Sequence, residues 1–326
     1  MVPSICSAKS ELCVGKAAIL VEASSGRVLY EKNSRQKLPM ASTTKIATAL
    51  TVLEHANLSD IVVVDKRAVG IEGSSVYLRE GEKLTVEELL YALMLRSGND
   101  SAVALAIHVG GSVERFVDLM NETARKAGAL DTCFANPHGL HDESHYTTAF
   151  DLALITKCAM SNDEFCKIVS SKSKVISNEG MDYKRNLANK NKLLLSYEYA
   201  NGVKTGYTKK AGRCFVGSAY KDGMQLIAVV LNCGPMFENA QSMLEFGFSQ
   251  YTMTNIISKN KVLGAVCTKK KATYFACPQG FSYPLTQQEA QRIEREVDLP
   301  IDDAGEGKVV VKLGDEAIFE SILTKY

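Results

Sequence analysis

The sequence predicts an α+β fold, in which an antiparallel sheet packs against a cluster of helices and a smaller β-rich domain follows. Two strand patterns near the amino terminus are followed by a long helical stretch, and strands return after residue 201. Because helices and strands are segregated and do not alternate as βαβ units, an antiparallel sheet is favoured. From about residue 255 the chain has short, charged strand patterns punctuated by proline. We therefore expect one domain over residues 15–254 and a second over residues 255–326.

Hydrophobic periodicity and turn residues place the individual elements. The predicted strands of the first domain lie at 17–21, 27–30, 203–205, 213–220 and 225–231, and those of the second domain at 262–267, 272–276 and 309–313. The predicted helices lie at 43–55, at 86–127 with a break at 97–99, at 150–160 and at 240–248. In the first of these helices, Ile46, Ala47, Leu50 and Leu53 recur at three- and four-residue steps, which indicates a buried face.

Composition excludes several classes of protein. The chain has 326 residues, 46% hydrophobic and 23% charged, which is typical of a folded protein with a substantial core. It carries 38 Lys and Arg against 37 Asp and Glu. This balance of charge gives no indication of a nucleic-acid partner, which would need an excess of Lys and Arg. No stretch of the sequence approaches the ~18 consecutive apolar residues that a membrane-spanning helix needs.

A serine and a lysine open the first predicted helix. Ser42-Thr-Thr-Lys45 places a hydroxyl and an amine three residues apart, on one face of that helix. The positive end of a helix favours a developing oxyanion, and a neutral lysine can accept the serine proton. Since lysine has an ordinary pKa of about 10.4, the site must lower that pKa by burial or with another cation. Four other serine–lysine pairs share this spacing, so alone the motif fits a capping serine equally well.

Two further segments carry residues suited to chemistry. A tight loop at Ser97-Gly98-Asn99 can project the serine and asparagine side chains into a cleft. On a predicted strand, Lys204-Thr205-Gly206 offers a cation and a hydroxyl that can hold a carboxylate, and a glycine that lets a ligand approach the backbone. The lysine would also disfavour charge on Lys45. Taken singly, the first segment fits a turn between helices and the second an exposed strand edge.

Together the three segments form a specific pattern. S-x-x-K, S-x-N and K-T-G in this order are the signature of penicillin-recognising serine enzymes. The chain resembles the low-molecular-mass penicillin-binding proteins that act as serine-type D-alanyl-D-alanine carboxypeptidases. Further matching segments are Asn136-Pro-His-Gly-Leu140, Thr148-Ala-Phe-Asp-Leu-Ala153 and Gly202-Val-Lys-Thr-Gly-Tyr-Thr208. The resemblance covers residues 15–253, and the residues from 256 are similar to the small β-rich C-terminal domain of the family.

The resemblance implies a penicillin-binding transpeptidase-like fold and acyl transfer in two steps. Ser42 would attack the carbonyl between the two terminal D-alanines of a peptidoglycan stem peptide, with Lys45 as the base. Ser97 would relay a proton to the leaving amine, and Asn99 would hold the peptide amide of the substrate. Water would then hydrolyse the acyl-enzyme. β-Lactams should acylate Ser42, and we expect neither a cofactor nor a metal.

The resemblance also implies how the substrate is held. Lys204 and Thr205 would bind its terminal carboxylate, beside Gly206. The backbone N–H groups of Ser42 and Tyr207 would form the oxyanion hole. Many relatives have histidine where this chain has Tyr207, and a backbone donor tolerates that change.

Other hydrolases that share the three motifs remain as alternatives. A class A β-lactamase adds an E-x-x-L-N segment, whose glutamate activates the deacylating water, and no such segment lies between Asn99 and Lys204. A D,D-endopeptidase or an esterase with the same residues is harder to separate from a carboxypeptidase. A non-catalytic binding module is disfavoured, because Ser42 and Lys45 are both intact. A Ser-His-Asp hydrolase is disfavoured because no G-x-S-x-G segment occurs.

A metal-dependent hydrolase is an alternative of another class. Side chains that can ligate a metal cluster in one segment: His138, His141, Asp142, Glu143 and His145. The spacing of His141 and His145 is that of H-E-x-x-H, but Pro137 and Gly139 oppose the helix that this motif requires. We expect these to be histidines of a loop exposed to solvent.

Nine cysteines, an odd number, form no C-x-x-C motif, which excludes zinc ribbons and thioredoxin-type sites. We interpret them as buried thiols, as at Cys158 and Cys233. A bridge between Cys267 and Cys277 across a hairpin remains open, because sequence does not settle connectivity.

The resemblance implies export to the outer face of the cytoplasmic membrane or the cell wall. The segment 1–8 ends in small residues like those of a signal-peptide cleavage site, without a charged or hydrophobic region before them. We expect the leader to have been removed. Relatives often attach to the membrane surface through a terminal amphipathic helix. No such pattern precedes Tyr326, so we expect that anchor to be absent or removed.

Overall fold

The computed structural model of this chain describes residues 12–177, 184–268, 271–301 and 305–326. The chain divides into two units. One contains the chain up to Lys221 together with Gln225–Gly247, and the other contains Asp222–Met224 and Phe248–Tyr326. Segment 1–8, which resembles the end of a cleavage site, lies outside the described residues together with Cys6. No described helix is both long enough and apolar enough to cross a membrane.

The predicted strands and helices all occur in the described chain, together with further elements that the sequence did not predict. The strands are β1 (Ala17–Glu22), β2 (Val28–Lys32), β3 (Ile61–Val63), β4 (Lys83–Thr85), β5 (Ser173–Ile176), β6 (Arg185–Ala188), β7 (Ala200–Thr208), β8 (Gly212–Lys221), β9 (Met224–Leu231), β10 (Thr252–Ile257), β11 (Lys261–Cys267), β12 (Ala272–Cys277), β13 (Phe281–Leu285), β14 (Ile293–Asp298), β15 (Gly307–Leu313) and β16 (Glu316–Lys325). The helices are α1 (Lys45–His55), α2 (Val86–Tyr91), α3 (Asn99–Gly110), α4 (Val113–Lys126), α5 (Ala149–Met160), α6 (Asp163–Ser170), α7 (Leu193–Ser196), α8 (Met236–Gln250) and α9 (Gln287–Ala290).

The main sheet of the first unit has the strand order β2-β1-β9-β8-β7. β1 pairs antiparallel with both β2 and β9, and β7 pairs antiparallel with β8. Every residue of β1 is buried, which explains why residues 17–21 form an unbroken apolar run and do not alternate with polar residues. The predicted antiparallel sheet is confirmed, and β7, which carries Lys204-Thr205-Gly206, lies at its edge.

The predicted helical stretch over 86–127 consists of three helices. α2 begins with a capping box, in which the Thr85 hydroxyl accepts from the Glu88 backbone and the Glu88 carboxylate accepts from the Thr85 backbone. A π-helical turn over Ala92–Arg96 ends α2, and Ser97 follows it with a left-handed φ of 65°. α3 therefore starts at Asn99, the last residue of the predicted break. The helices and the sheet share one apolar core.

α1 begins two residues later than predicted. The segment Ala41–Thr44 forms a 3₁₀ turn, and the α-helix starts at Lys45. The predicted apolar face of α1 is otherwise confirmed, because Ile46, Ala47 and Leu50 are buried in the core. The tighter turn places Ser42 ahead of the helix proper.

The second unit is β-rich, as the charged strand patterns predicted, and its strands pair antiparallel. β10 pairs with β13, and a five-stranded sheet has the order β11-β12-β16-β15-β14. Its apolar core includes Phe275, Val309 and Val311. The bridge that the sequence left open between Cys267 and Cys277 does not form. Cys267 lies opposite Ala272 and Cys277 opposite Lys261, so the two thiols are at opposite ends of the hairpin.

Candidate active site

Ser42 lies in a turn whose backbone is held by side chains. Ala41, directly before it, has a φ of 49°, in the left-handed region that a residue with a Cβ rarely adopts. The Thr43 hydroxyl donates to the Met40 carbonyl at 2.6 Å, and the Thr44 hydroxyl donates to the Ala41 carbonyl at 2.8 Å. Local hydrogen bonds of this kind compete with regular helix and explain why the turn is 3₁₀.

Lys45 is fully buried and points at Ser42. Its Nζ lies 2.7 Å from Asn99 Oδ1, 2.6 Å from the His138 carbonyl oxygen and 3.1 Å from Ser42 Oγ. The first two oxygens can only accept, so they take two amine protons. In a neutral amine the remaining lone pair faces Ser42, whose hydroxyl proton it can accept.

The protein lowers the pKa of Lys45 well below its ordinary value of 10.5. Burial is the largest cause, the charge of Lys204 comes second and that of Lys190 third, while Asp100 opposes them. The sequence predicted burial or a neighbouring cation as the cause, and both operate. Lys45 is therefore suited to act as a base.

Lys204 lies on β7 and is only 1% exposed. Its Nζ donates to the Thr205 carbonyl at 2.9 Å. Burial first and Lys190 second lower the pKa of Lys204 to about 7. At neutral pH this side chain is thus divided between its charged and neutral forms, and a bound anion would favour the charged form.

Lys190 is a third cation, which the sequence analysis missed. Its Nζ donates to Ser74 Oγ at 2.9 Å, and burial and the charge of Arg96 lower its pKa. A lysine between two asparagines gives no sequence signal that separates it from any loop lysine. Its importance follows only from the tertiary fold.

The residues that follow Ser97 contact both Lys45 and the segment before α2. Asn99 Oδ1 accepts from Lys45, and Asn99 Nδ2 donates to the Glu72 carbonyl at 2.5 Å. The carboxylate of Asp100 accepts from Ser75 Oγ at 2.6 Å and from two backbone N–H groups of the same segment. Both ends of the Asn99 side chain are thus engaged, one with Lys45 and the other with the Glu72 carbonyl, and the role of Asn99 in holding the substrate amide stays a prediction.

β7 passes directly against the Ser42 turn. A Cβ added at Gly206 would lie 2.9 Å from the Ser42 backbone nitrogen and 3.1 Å from the Met40 carbonyl oxygen. Only glycine therefore fits at this position, because the backbone of the Ser42 turn approaches it, a reason that the sequence did not indicate. Tyr207, the next residue, is 66% exposed, so its side chain extends away from the buried lysines.

A cavity of about 440 Å³ opens over these residues. Its lining residues are Ser42, Ser74, Ser97, Lys190, Lys192, Thr205, Gly206, Tyr207, Arg213, Met236 and Phe237. The three motifs thus meet at one cavity, with Lys45, Asn99 and Lys204 buried beside it. The charged residues of the lining are all cations, which suits an anionic ligand. Arg213 and Phe237 carried no signal in the sequence.

The histidine segment differs from expectation. His141 is exposed, as predicted, but His145 is only 3% exposed, so the prediction of solvated loop histidines was wrong for His145. His138 contributes its backbone carbonyl to Lys45, and burial, with Lys45 second, lowers the pKa of its ring to about 3. Within the described ranges, no group of three His, Cys, Asp or Glu side chains is arranged to hold a metal.

Comparison with solved structures supports the same fold. Penicillin binding protein 5 from Haemophilus influenzae superposes with a TM-score of 0.81 at 25% identity, covering 100% of this chain and 98% of that chain. A D-alanyl-D-alanine carboxypeptidase from Mycobacterium tuberculosis H37Rv has a TM-score of 0.71 at 32% identity, covering 76% of this chain and 96% of that chain. The predicted penicillin-binding transpeptidase-like fold is confirmed.

Sequence comparison gives the family. The D-alanyl-D-alanine carboxypeptidase DacF of Bacillus subtilis (strain 168) is 39% identical over 263 residues, 78% of this chain and 67% of the relative. DacC of Escherichia coli (strain K12) is 37% identical over 248 residues, 72% of this chain and 61% of the relative. The chain thus spans roughly two thirds of the length of these curated relatives. The profile Peptidase_S11, described as D-alanyl-D-alanine carboxypeptidase, matches residues 6–234, so the chain belongs to the S11 peptidase family of D-alanyl-D-alanine carboxypeptidases.

Proposed function

We propose that this protein removes the terminal D-alanine from peptidoglycan stem pentapeptides through an acyl-enzyme on Ser42. The observation that carries the proposal is the contact between Lys45 Nζ and Ser42 Oγ, 3.1 Å apart, with the pKa of Lys45 held well below its ordinary value. A neutral amine in hydrogen-bond reach of a serine hydroxyl is the arrangement that nucleophilic catalysis requires. The family to which the chain belongs supports the same reaction.

In the acylation step, Ser42 Oγ bonds to the carbonyl carbon between the two D-alanines and Lys45 takes the hydroxyl proton. The carbonyl oxygen becomes an oxyanion, for which the N–H groups of Ser42 and Tyr207 are the donors. The C–N bond then breaks, and the leaving amine receives a proton by way of Ser97. Free D-alanine departs and an ester on Ser42 remains.

Deacylation reverses these roles with water as the nucleophile. Water gives its proton to Lys45 and attacks the ester carbonyl, and the bond to Ser42 Oγ breaks as that oxygen regains a proton. The shortened stem peptide leaves with a new carboxylate. A β-lactam follows the acylation step but has no separate leaving group, because its amine stays in the same molecule.

The terminal carboxylate of the substrate is assigned to Lys204 and Thr205 on β7. A charge-assisted hydrogen bond to a buried cation is strong because little water competes with it. We infer that the enzyme acts at the outer face of the cytoplasmic membrane or in the cell wall, where peptidoglycan lies.

The decisive experiment combines penicillin labelling with product analysis. Mass spectrometry of the penicillin-treated protein is expected to show one adduct on Ser42, and Ser42→Ala should abolish it together with D-alanine release from a stem pentapeptide. Labelling at another residue would refute the assignment of Ser42. Fast turnover of nitrocefin without D-alanine release would favour the β-lactamase alternative over the carboxypeptidase.

A further inference from the structure

The peptide bond between Ala41 and Ser42 has two functional ends. Its N–H belongs to Ser42 and is one of the two donors assigned to the oxyanion hole. Because a peptide unit is planar, the direction of its carbonyl fixes the direction of its N–H. The direction of the Ala41 carbonyl therefore determines where the oxyanion donor points.

A chain of hydrogen bonds holds that carbonyl. The backbone N–H of Ala135 donates to His145 Nδ1 at 3.0 Å, so Nδ1 carries no proton and the proton of the neutral ring is on Nε2. His145 Nε2 lies 2.8 Å from Thr44 Oγ1, to which it donates. Thr44 in turn donates to the Ala41 carbonyl at 2.8 Å. The direction of every bond in the chain is thus defined.

The turn does not hold this conformation by backbone preference alone. Ala41 has a φ of 49°, which disfavours the observed orientation of the peptide. Gly139 packs against the Ala41 carbonyl so closely that a Cβ there would overlap it. Gly206 packs closely against the backbone nitrogen of Ser42. The carbonyl is therefore clamped between Gly139 and the Thr44 hydroxyl.

We propose that His145, acting through Thr44, is a positioning residue that aims the Ser42 N–H at the oxyanion of the acylation step. The proposal rests on the assignment of Ser42 as the nucleophile. In this role the buried His145 neither binds a metal nor transfers a proton to the substrate. Its effect is expected in the rate of the chemical step and not in substrate binding, because the oxyanion forms only in the transition state.

The surroundings of His145 favour the neutral ring that this chain requires. Burial is the largest cause of a pKa lowered to about 4, with Asp142 opposing it and His141 and Lys45 lowering it further. His138 is the other titratable group coupled to His145, and it is itself held neutral. The ring of Phe134 packs edge-on against His145 at 5.8 Å between ring centroids.

Two pairs of variants separate positioning from packing. Thr44→Ser keeps the hydroxyl and Thr44→Val removes it with little change in shape. His145→Gln can still donate to Thr44 from its amide, whereas His145→Asn can accept from Ala135 but does not reach Thr44. Thr156→Val is the matched control, because the buried Thr156 hydroxyl also donates to a backbone carbonyl, that of Leu152, away from the cavity.

The measurements are penicillin acylation of Ser42, kcat and KM for D-alanine release, and thermal unfolding. We expect Thr44→Val and His145→Asn to lower acylation and kcat by roughly 10- to 100-fold with KM within about threefold, which is less than the roughly 100- to 1,000-fold cost of removing an oxyanion donor because the donor is misdirected and not removed. Thr44→Ser, His145→Gln and Thr156→Val should stay within about threefold in kcat. We expect Thr156→Val to lower Tm without lowering kcat, which separates a loss of stability from a loss of activity.

Each other result counts against the proposal. Unchanged kcat in Thr44→Val, a loss confined to KM, or equal losses of kcat in Thr44→Val and Thr156→Val would each overturn it. A large loss of kcat in both conservative variants, Thr44→Ser and His145→Gln, would also overturn it. Failure of the wild-type protein to be labelled at Ser42 would instead refute the proposed function, so the two failures are distinguishable.

Discussion

Lys45 and Lys204 are both buried lysines, yet the proposed reaction needs them in opposite protonation states. Lys45 must be neutral to accept a proton, and Lys204 must be charged to hold a carboxylate. The structure separates them by their neighbours, since Lys204 and Lys190 both disfavour charge on Lys45, whereas Lys190 alone adds to burial at Lys204. The pKa of Lys204, about 7, leaves it partly charged at neutral pH and mostly charged below it.

This difference predicts how the reaction depends on pH. As pH rises through about 7, Lys204 loses its proton in the free enzyme, so kcat/KM for a substrate with a terminal carboxylate should fall. The check is a profile of kcat/KM from about pH 5 to 9 for a stem-peptide analogue and for the same analogue with its carboxylate converted to an amide.

The amide analogue is the control, and its kcat/KM should show no fall near pH 7. Lys204→Arg should shift the fall of the carboxylate substrate to higher pH, because a guanidinium stays charged. Identical profiles for the two analogues would contradict the assignment of Lys204 to the carboxylate.

Arg213 is an exposed cation of the cavity that no motif contains. It lies opposite Tyr207 in the pairing of β7 with β8, and its guanidinium donates to the Gly234 carbonyl at 3.3 Å. An exposed cation at the mouth of a cavity attracts an anionic substrate more than it stabilises a transition state. We expect Arg213→Gln to raise KM by about 3- to 10-fold, mainly at low salt, with kcat within about twofold. A fall in kcat at unchanged KM would place Arg213 in the chemical step instead.

The edge strand β7 packs directly against the Ser42 turn at Gly206, so the position of the strand fixes the position of the turn. A methyl group at Gly206 would meet the backbone of Ser42, Thr43 and Met40, none of which can move as a flexible side chain does. Gly206→Ala is therefore expected to displace the turn from the strand and to lower penicillin acylation by at least ~100-fold, since misplacement of ~1 Å has that effect.

Gly234→Ala is the matched control for this prediction. A Cβ added at Gly234 would meet nothing within 4 Å, and the hydrogen bond from Arg213 to the Gly234 carbonyl involves only the backbone and so survives the change. Acylation should be unchanged in that variant. Normal acylation in Gly206→Ala would show that the close approach of β7 is dispensable.

The three motifs were predictable from the sequence because each joins a local conformation to residues of distinctive chemistry. Ser42 and Lys45 are about one helical turn apart, and position 206 has space only for a glycine. The order of these strands and helices was equally predictable, since β1 and β9 are apolar runs of strand length and α1 has apolar residues at helical spacing. Short pairs such as β3 with β4 have three residues each and gave too little pattern.

What the sequence did not predict depends on contacts between distant segments. Lys190 reaches the cavity through a loop, and its effect on Lys45 exists only after folding. His145 was interpreted as a solvated histidine because it lies in a polar loop, yet that loop folds over the Ser42 turn. Neither position differs from an ordinary loop residue until the three-dimensional arrangement is known.

At the scale of the whole molecule, two lysines of the described residues, Lys45 and Lys204, are buried, and this burial opposes their charge and therefore opposes folding. The unfolded chain keeps Lys204 at its ordinary pKa of 10.5, while the folded chain lowers that pKa to about 7. Between these values the unfolded state binds more protons, so the contribution of Lys204 to stability rises with pH and is least favourable below about 7. Burial of the apolar side chains between the sheet and the helices must offset the unfavourable free energy of burying these two lysines.

Replacing the buried cation should therefore stabilise the protein while inactivating it. At ~1.4 kcal/mol per pKa unit, the difference between the two states of Lys204 corresponds to about 5 kcal/mol. Imperfect packing of a substitute reduces the expected gain in Lys204→Met to ~1–3 kcal/mol of unfolding free energy near pH 6, with a smaller gain near pH 10. Urea unfolding at both pH values measures it. Lys192→Met, at an exposed lysine of the same cavity, should change stability by less than ~0.5 kcal/mol. A Lys204→Met variant no more stable than the Lys192→Met variant at pH 6 would show that burial of Lys204 carries no energetic cost to folding.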